Sequence, residues 1–419
     1  MGRHQPRHLA PKRSSGQSQR LLVVGAATLV VVVGTGLVLA SAAGDQRERV
    51  SSADLPDLGT VTSTASTTTI VPPGRSATIA FSGDILIHSG VSAAAEVPGG
   101  HDFGPMLAPV APQLSAADLA LCHLEVTLAR PEDRLSSYPR FRAPSALAAN
   151  LAASGFDGCS VASNHALDFG EQGVVATLDA LDAAGLGHAG TARSPIEDTQ
   201  PGRYAPGGID VAHLSYSYGF NGFTTPADKP WIVDQIDPTR ILADAVAARA
   251  GGAEFVVASL HWGNEYAHGV VEAQQVVAAA LAAEPGVIDL IVGHHAHVVQ
   301  PISKVGAIWV VWGMGNLLSN NVPRCCPDEA TDGVIVTVRI TGGARPGEPV
   351  SVTEIAFTPT WNERTSFRVL PIASTVLGGA TWGALAADLR ASYARTVANI
   401  MALSPDPRIV QPVEQLPAG

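Results

Sequence analysis

Histidine, carboxylate and amide side chains occur repeatedly at the carboxyl ends of apolar, strand-like runs in this sequence. Five runs show the pattern, and the residues at their ends are Asp84 and His88; His123 and Glu125; Asn164, His165 and Asp168; His261 and Glu265; and His294, His295, His297 and Gln300. In an open α/β sheet, ligands bind just outside the carboxyl ends of the strands. We therefore expect these five ends to meet at one edge of the fold.

The types of these side chains indicate a metal site. Imidazole, carboxylate and amide groups without thiolate suit divalent ions such as Zn, Mn or Fe, and they exclude copper(I) and iron–sulfur clusters. The spacing of His295 and His297 allows both imidazoles to face one cation. Alone, each motif has an ordinary explanation: a turn at Asp84, a helix cap at Asn164, a core histidine at His261. Together they favour one or two bound ions, with a glutamate able to bridge two.

Short β-prone runs alternate with Ala- and Leu-rich stretches of helical length, a pattern typical of a layered α/β domain. The predicted strands are residues 77–83, 119–124, 157–161, 208–215, 255–260, 287–292 and 307–312. The predicted helices are residues 144–153, 171–184, 238–250 and 272–283. Beyond Gly333, alternating runs predict antiparallel strands at a sheet edge, and residues 381–402 predict a last amphipathic helix.

The order of the motifs resembles that of a known family. The motifs are Gly83-Asp84, Leu124-Glu125, Asn164-His165 with Asp168, His261-Trp262-Gly263 with Glu265, Gly293 followed by His295-Ala296-His297 and Gln300, and Gly315-Asn316. Over residues 77–321 the chain resembles the CapA family of capsule and poly-γ-glutamate biosynthesis proteins. That family is similar in fold to the calcineurin-like metallophosphoesterases. The resemblance therefore implies an α/β fold, a layered metallophosphoesterase-like sandwich. The uncharged run at residues 21–43 separately predicts an N-terminal transmembrane helix before it.

The resemblance also implies a role for each polar residue. The implied metal ligands are Asp84, Glu125, Asn164, His261, His295 and His297, with Glu125 as the bridge between two ions. His165 takes the place of the histidine that acts as general acid in the phosphoesterases, and Asp168 is assigned to the catalytic group with it. The residues assigned to the surroundings of the ligands or to substrate binding are His88, His123, Glu265, Gln300 and Asn316.

The charge distribution excludes one class of partner. The chain of 419 residues has a formal charge of −11. Its first 20 residues contain five Arg or Lys and no acidic residue. The other residues therefore carry 21 basic and 37 acidic side chains, a net charge of −16. Such an acidic chain lacks the basic face that nucleic acid requires. An anionic polymer such as poly-γ-glutamate would need metal cations or a local basic strip. The candidate strip is Arg130, Arg134, Arg140 and Arg142, and a solvated loop is the alternative.

Residues 21–43 form an uncharged run of 23 residues. About 20 apolar residues suffice to span a bilayer, and the upstream cations predict that residues 1–20 are cytoplasmic and the folded part extracytoplasmic. The length favours an uncleaved anchor in the cell membrane, while Ala40-Ser41-Ala42 leaves a cleaved, secreted form open. The predicted parts are a basic tail (1–20), this anchor or signal segment (21–43), a Ser/Thr/Pro-rich linker (44–76), a CapA-like domain (77–375), and a C-terminal helix and tail (376–419).

The four cysteines match no zinc-binding spacing. Cys122 and Cys159 occur in apolar, strand-like runs, which favours two unlinked core side chains. A disulfide between these two, or one involving the adjacent Cys325 and Cys326, is the alternative in a compartment outside the cytoplasm.

Two main functions are consistent with the sequence. The first is a membrane-anchored protein acting in the biosynthesis, release or export of poly-γ-glutamate or a related capsular polymer, with other membrane components of a synthesis complex, because the chain has no P-loop. The second is a metal-dependent hydrolase of phosphoester or γ-glutamyl amide bonds, with His165 as proton donor. A less favoured third is a module that binds a partner in a membrane complex.

Overall fold

The computed structural model describes residues 74–321, 325–373, 380–404, 406 and 410–413. The predicted cytoplasmic tail, the anchor or signal segment, nearly all of the linker and part of the C-terminal tail lie outside these residues. Among the helices that are described, none has the length and hydropathy needed to cross a bilayer. The first strand begins at Arg75, slightly before the predicted start, because its antiparallel pairing begins with Arg75 opposite Gly342. The Arg75 side chain also forms an ion pair with Glu254 (Nη1 to Oε2, 2.7 Å).

The described residues form nineteen strands and nine α-helices. The strands are β1 (Arg75–Ile85), β2 (Glu96–Val97), β3 (Gly100–His101), β4 (Leu119–Leu124), β5 (Thr127–Leu128), β6 (Arg142–Ala143), β7 (Gly158–Ser160), β8 (Gly187–Ala189), β9 (Gly202–Tyr204), β10 (Val211–Ser217), β11 (Phe255–His261), β12 (Leu290–His294), β13 (Ile302–Val305), β14 (Ile308–Val311), β15 (Asn316–Leu318), β16 (Asp332–Gly342), β17 (Val350–Asn362), β18 (Val369–Pro371) and β19 (Val410–Pro412). The helices are α1 (Ser89–Ala94), α2 (Gly104–Leu107), α3 (Ala111–Ser115), α4 (Ala146–Ala153), α5 (Gly170–Ala183), α6 (Pro195–Asp198), α7 (Pro238–Ala250), α8 (Glu272–Ala282) and α9 (Ala386–Met401).

Two large mixed β-sheets form the centre of the fold. The first has nine strands in the order β18-β17-β16-β1-β4-β7-β8, with β15 beside β1 and β19 beside β17. The second has six strands in the order β13-β14-β12-β11-β10-β9. Neighbouring strands β1, β4, β7 and β8 are parallel, as are β10, β11, β12 and β14. The carboxyl ends of each parallel set therefore lie along one edge of its sheet, which confirms the predicted mixed α/β class.

The two sheets pack face to face through apolar side chains. Phe81 and Leu121 of the first sheet belong to the same buried cluster as Val257 and Val292 of the second. Helices α4 and α5 cover the other face of the first sheet, and α7 and α8 cover the other face of the second. Helix α9 also packs on the first sheet, where Arg395 forms an ion pair with Asp332 of β16 (2.9 Å).

The longer elements begin and end close to where the sequence predicts them, because local signals mark their boundaries. Helix α7 has the predicted bounds: the side chain of Asp237 accepts a hydrogen bond from the Thr239 N–H (2.9 Å), and Pro238 occupies the first helical position. Short strands such as β8 and β9 were not predicted. They contain three residues each, which is too few to show an alternating pattern.

The prediction of two unlinked core cysteines is wrong. Cys122 of β4 lies directly opposite Cys159 of β7, and a disulfide joins the two side chains. The separation of their Cα atoms, 4.4 Å, lies within the range that a disulfide spans. A second disulfide joins the adjacent residues Cys325 and Cys326.

The packing between the sheets predicts the cost of truncating Phe81, whose side chain is 2% exposed. Phe81→Ala should lower the free energy of unfolding by about 3–5 kcal/mol, because the mutation leaves a cavity between the sheets. Urea denaturation followed by circular dichroism measures this change. The control Val246→Ala, at a site that is 54% exposed on α7, should change it by less than about 0.5 kcal/mol. An equal loss in both variants would contradict the packing described here.

Candidate metal centre

The register of the strands brings the polar strand ends to one place. In the first sheet, Asp84 of β1 lies opposite His123 of β4 on one side and opposite Asn316 of β15 on the other. In the second sheet, His261 of β11 lies opposite His294 of β12. The sheets meet here, because His294 Nδ1 lies 3.1 Å from Asp84 Oδ1.

Seven buried side chains at this junction could hold metal ions. They form three groups in which the ligand atoms all lie within 4.8 Å of one another: Asp84, His123 and His294; His123, Glu125 and His261; and Glu125, His295 and His297. None of the seven is more than 4% exposed. Asn164 joins the cluster through its Oδ1, which lies 2.9 Å from His261 Nε2. Glu125 belongs to two of the groups, as a bridging carboxylate would.

The carboxylate of Glu125 is the least satisfied group in the cluster. The residue is 0% exposed, and neither of its oxygens has a hydrogen-bond partner among the described residues. The nearest imidazole nitrogens are His261 Nε2 and His297 Nε2, at 3.6 and 3.7 Å from Oε1. His295 Nδ1 is likewise buried without a partner in the described part of the chain. Burying an unpaired charge is costly, so this set of donors fits a divalent cation.

The two carboxylates of the cluster respond differently to burial. Burial raises the pKa of Glu125 well above its usual range, and the positive charge of His297 only partly opposes this. Burial also acts to raise the pKa of Asp84, but hydrogen bonds with His294 and His297 hold it well below its usual range. Asp84 is therefore a carboxylate with partners, whereas Glu125 is one that still needs a positive charge.

Most of the imidazoles are held in the neutral form. Burial, followed by the charges of neighbouring histidines, lowers the pKa of His123 and of His261 well below the usual range. The same causes lower the pKa of His295 to about 3. Burial also acts on His297, but the nearby carboxylates raise its pKa to about 10. Neutral imidazole is the form that binds metal, so His123, His261 and His295 are ready to act as ligands.

The loop after β12 has a backbone shaped for this cluster. His295 and His297 both adopt left-handed conformations, with φ of 84° and 54°, which non-glycine residues rarely adopt away from functional sites. Gly293, just before them, is packed against Trp312, the residue that follows β14. A Cβ atom added to Gly293 would lie 1.9 Å from the carbonyl oxygen of Trp312, so only glycine fits at this position.

His165 and Asp168 form a pair beside the cluster. His165 Nδ1 lies 2.7 Å from Asp168 Oδ2, and the same oxygen accepts a hydrogen bond from the Phe141 N–H (2.6 Å). The ring of Phe141 packs edge-on against that of His165, with the centroids 4.7 Å apart. Asn221 Nδ2 lies 3.3 Å from His165 Nδ1. Since Nδ1 is engaged, Nε2 is the atom of His165 that can exchange a proton with another group.

Two residues that the sequence assigned to the surroundings of the ligands touch the cluster directly. Asn316 Oδ1 lies 3.0 Å from His297 Nδ1. His123 Nε2 lies 2.9 Å from His261 Nδ1, and His123 Nδ1 lies 2.8 Å from Ser160 Oγ. His123 thus lies deeper in the centre than predicted, inside two of the three groups.

The other three residues assigned to the surroundings lie outside the potential ligand groups. His88 Nδ1 lies 3.0 Å from the Leu86 carbonyl oxygen. Gln300 Nε2 donates to the Ala267 carbonyl oxygen (2.7 Å), so Gln300 stabilises the segment that follows β11. Glu265 is exposed and makes no hydrogen bond or ion pair with the residues that the structure describes.

Three further residues of the site were given no role from the sequence, although His294 was among the strand-end residues noted there. His294 bonds to Asp84, and its position in a run of histidines was an available signal. The ring of Tyr218 lies 4.6 Å from that of His295, and Asn221 accepts a hydrogen bond from Asn164 (3.4 Å). Both follow β10, whose end carries no His, Asp or Glu. A search restricted to those residue types therefore passes over this strand.

The four arginines proposed as a basic strip do not act alike. Arg130 and Arg142 both pair with Asp133, at 3.1 and 3.4 Å. Arg140 instead donates through Nε to the carbonyl oxygen of Asp168 (2.7 Å). The strip is therefore reduced in charge, because Asp133 and Glu132 lie beside two of its cations. Arg134 is exposed and forms no ion pair among the described residues.

Comparison with known families identifies the chain. The model of a family described as "Bacterial capsule synthesis protein PGA_cap" matches residues 78–321. The chain belongs to this family. The matched region contains every side chain of the cluster described above, together with His165, Asp168 and Asn316, so the candidate metal centre of this PGA_cap protein lies wholly within the family's domain.

Individual relatives are similar over shorter regions. The PGA biosynthesis protein CapA of Bacillus subtilis (strain 168) is 30% identical over 159 residues, which are 38% of this chain and 41% of that protein. The capsule biosynthesis protein CapA of Bacillus anthracis is 29% identical over 169 residues, 39% of this chain and 40% of that protein. The chain thus matches about two fifths of the length of these relatives.

Solved structures with some similarity include two nucleotidases. The NAD nucleotidase of Haemophilus influenzae aligns with 81% of this chain and 64% of that one, at 12% identity and a TM-score of 0.38. The 5'-nucleotidase of Candida albicans aligns with 76% of this chain and 57% of that one, at 10% identity and a TM-score of 0.40.

The close contact of Gly293 yields a prediction. Gly293→Ala should displace the loop that carries His295 and His297, because the new methyl group would overlap the backbone of Trp312. We expect a lower thermal midpoint and at least a tenfold weaker retention of divalent metal during dialysis, on the order of the loss when ligand-orienting contacts are removed. Gly100→Ala is the control, since nothing lies within 4 Å of its added Cβ. Unchanged metal retention in Gly293→Ala would contradict the role given to this loop.

Proposed function

We propose that this chain is an envelope protein that acts in the biosynthesis, release or export of poly-γ-glutamate or a related anionic capsular polymer. In this proposal residues 21–43 anchor the chain in the cell membrane, and the folded part is extracytoplasmic. The capsule-synthesis family to which the chain belongs and the names of its relatives support the polymer. Other membrane proteins would supply the energy for polymerisation, because the chain has no P-loop.

The observation that carries the proposed site is the buried, unpartnered carboxylate of Glu125. One or two divalent ions, of Zn, Mn or Fe, would provide its missing counter-charge. The proposed ligands are Asp84, Glu125, Asn164, His261, His295 and His297, and the structure adds His123 and His294 as neighbours close enough to take part. When bound, such ions supply positive charge that polarises the bond under attack and anchors anionic groups of the substrate.

A second candidate function, metal-dependent hydrolysis of a γ-glutamyl amide or a phosphoester, is favoured by the pair of His165 and Asp168. Asp168 holds His165 through Nδ1 (2.7 Å) and thereby orients the imidazole ring. The proton on Nε2 is then available to a leaving nitrogen or oxygen. The Phe141 N–H fixes the Asp168 carboxylate in turn, so both side chains are oriented before substrate binds. Cleavage of this kind would release or trim the polymer.

Metal analysis tests the site. Elemental analysis of the full chain, purified in detergent, should find about one to two equivalents of Zn, Mn or Fe. His295→Ala/His297→Ala should remove them, because two imidazoles leave the cluster. The matched control His101→Ala/His188→Ala also removes two histidines, both outside the three groups, and should keep the metal. A folded wild-type chain that takes up none of the three metals when they are offered would show the proposed centre to be wrong.

Turnover tests the hydrolytic candidate. The metal-loaded chain is screened with γ-glutamyl amides and phosphoesters, and His165→Ala should lower kcat by about 100-fold or more, the usual contribution of a general acid. Its metal content should match the wild type, whereas His188→Ala should leave both properties unchanged. Undiminished turnover in His165→Ala would refute the role of proton donor. Loss of metal would make His165 a ligand instead.

A further inference from the structure

Arg140 differs from the other arginines of its region. Arg130 and Arg142 pair with acids, and the exposed Arg134 has no side-chain partner among the described residues to hold it in place. Arg140 lies in the segment between β5 and β6, it is exposed, and within the described residues it pairs with no carboxylate. Arg130, in the same segment, pairs with Asp133 and Glu132, and Arg142, at the start of β6, pairs with Asp133. Among the described residues, Arg140 is therefore a cation without an ion-pair partner, in a chain whose net charge is strongly negative.

The guanidinium of Arg140 is fixed in place although it is exposed. Its Nε and Nη2 both donate to the carbonyl oxygen of Asp168. Its carbon lies over the rings of Phe169 and Phe223, 4.7 and 5.3 Å from their centroids. Such contacts reduce the entropy that the side chain would otherwise lose on binding a ligand.

These contacts leave one edge of the guanidinium free. Both N–H groups of Nη1 and the second N–H of Nη2 have no acceptor among the described residues. The Nη1 and Nη2 edge of an arginine matches the two oxygens of a carboxylate. A preoriented arginine with this edge unoccupied has the properties of a receptor for an anion.

The position of Arg140 relates this receptor to the proposed chemistry. The carbonyl group that holds Arg140 belongs to Asp168, whose side chain holds His165. The next residue in the chain, Phe141, packs on the ring of His165 and donates its N–H to Asp168. Arg140 is thus fixed to the same backbone that fixes the proposed proton donor.

We propose that Arg140 forms a carboxylate-binding subsite. It would bind a free carboxylate of the polymer, adjacent to the bond that lies at the metal centre. This inference rests on the proposed function and names a substrate class for it: a chain that bears one free carboxylate on each repeating unit. Phe223, which is 40% exposed, covers the guanidinium on one side and would contact the aliphatic part of the same unit. Arg140 is therefore a specificity residue, distinct from the metal ligands.

The test measures binding of a short γ-linked glutamate oligomer to the metal-loaded full chain by calorimetry. Arg140→Ala should weaken binding by about 10- to 100-fold, the range for loss of hydrogen bonds to a charged group. Arg140→Lys should restore only part of this, because an ammonium lacks the planar fork. Arg339→Ala removes one exposed cation elsewhere on the fold and should change the affinity by less than about twofold.

Two further binding measurements distinguish a specific carboxylate contact at Arg140 from general charge attraction and from phosphate binding. The methyl ester of the oligomer should bind the wild type as weakly as the free acid binds Arg140→Ala. Equal weakening by Arg134→Ala and Arg140→Ala would mean that general charge attracts the polymer, and the subsite would be refuted. If Arg140→Ala weakens the binding of a phosphoester ligand but not that of the glutamate oligomer, the anion bound by Arg140 is a phosphate. That result would refute the carboxylate-binding subsite.

The failure of this inference differs from the failure of the proposed function. If the wild type binds the oligomer and Arg140→Ala binds it equally well, the subsite is wrong while the polymer function stands. If the metal-loaded wild type binds no glutamate oligomer at all, both are wrong. Metal content and the thermal midpoint, measured on every variant, exclude unfolding as the cause of any loss.

Discussion

The structure around the site depends on one constraint, the burial of the Glu125 carboxylate without a hydrogen-bond partner among the described residues. Moving a carboxylate out of water costs several kcal/mol unless positive charge compensates it. The surrounding imidazoles compensate it only in part, because burial and mutual repulsion keep most of them neutral. A cluster that buries an acid among neutral nitrogen ligands is electrostatically incomplete, and a divalent cation completes it. The same neutrality that weakens the imidazoles as partners of Glu125 makes them good metal ligands.

The two sheets supply this cluster through their register. Asp84 and His123 come from adjacent strands of one sheet, while His261 and His294 come from adjacent strands of the other. The contact between Asp84 and His294 joins the two sheet edges at one point. A shift of one residue in any of these strands would turn its polar side chain to the opposite face. The apolar packing between the sheets, centred on residues such as Phe81, therefore fixes the positions of ligands as well as the fold.

Most of the site could be predicted because its residues directly follow long apolar strands, and local sequence shows both features. What could not be predicted depends on pairing between distant segments. The disulfide between Cys122 and Cys159 follows from the register of β4 and β7, and no local pattern encodes that register. Asn221 reaches the site through a loop with a left-handed φ of 49°, after a strand whose end carries no His, Asp or Glu. The pairing of Asp133 with two arginines likewise depends on a loop conformation.

The negative net charge of the chain explains why an anionic polymer would be bound at a few defined points and not along a broad surface. The chain beyond its first 20 residues carries 37 acidic and 21 basic side chains, and its arginines are largely engaged by those acids, as Arg75, Arg193 and Arg240 are. A polyanion approaching such a surface is repelled except where positive charge is left uncompensated. A bound metal ion and Arg140, which is held by the Asp168 carbonyl oxygen, would both meet that condition beside His165. Two separated points of attraction would fix both the position and the direction of an extended chain, whereas a continuous basic face would let it slide. An acidic surface with few free cations thus favours a defined register between polymer and centre.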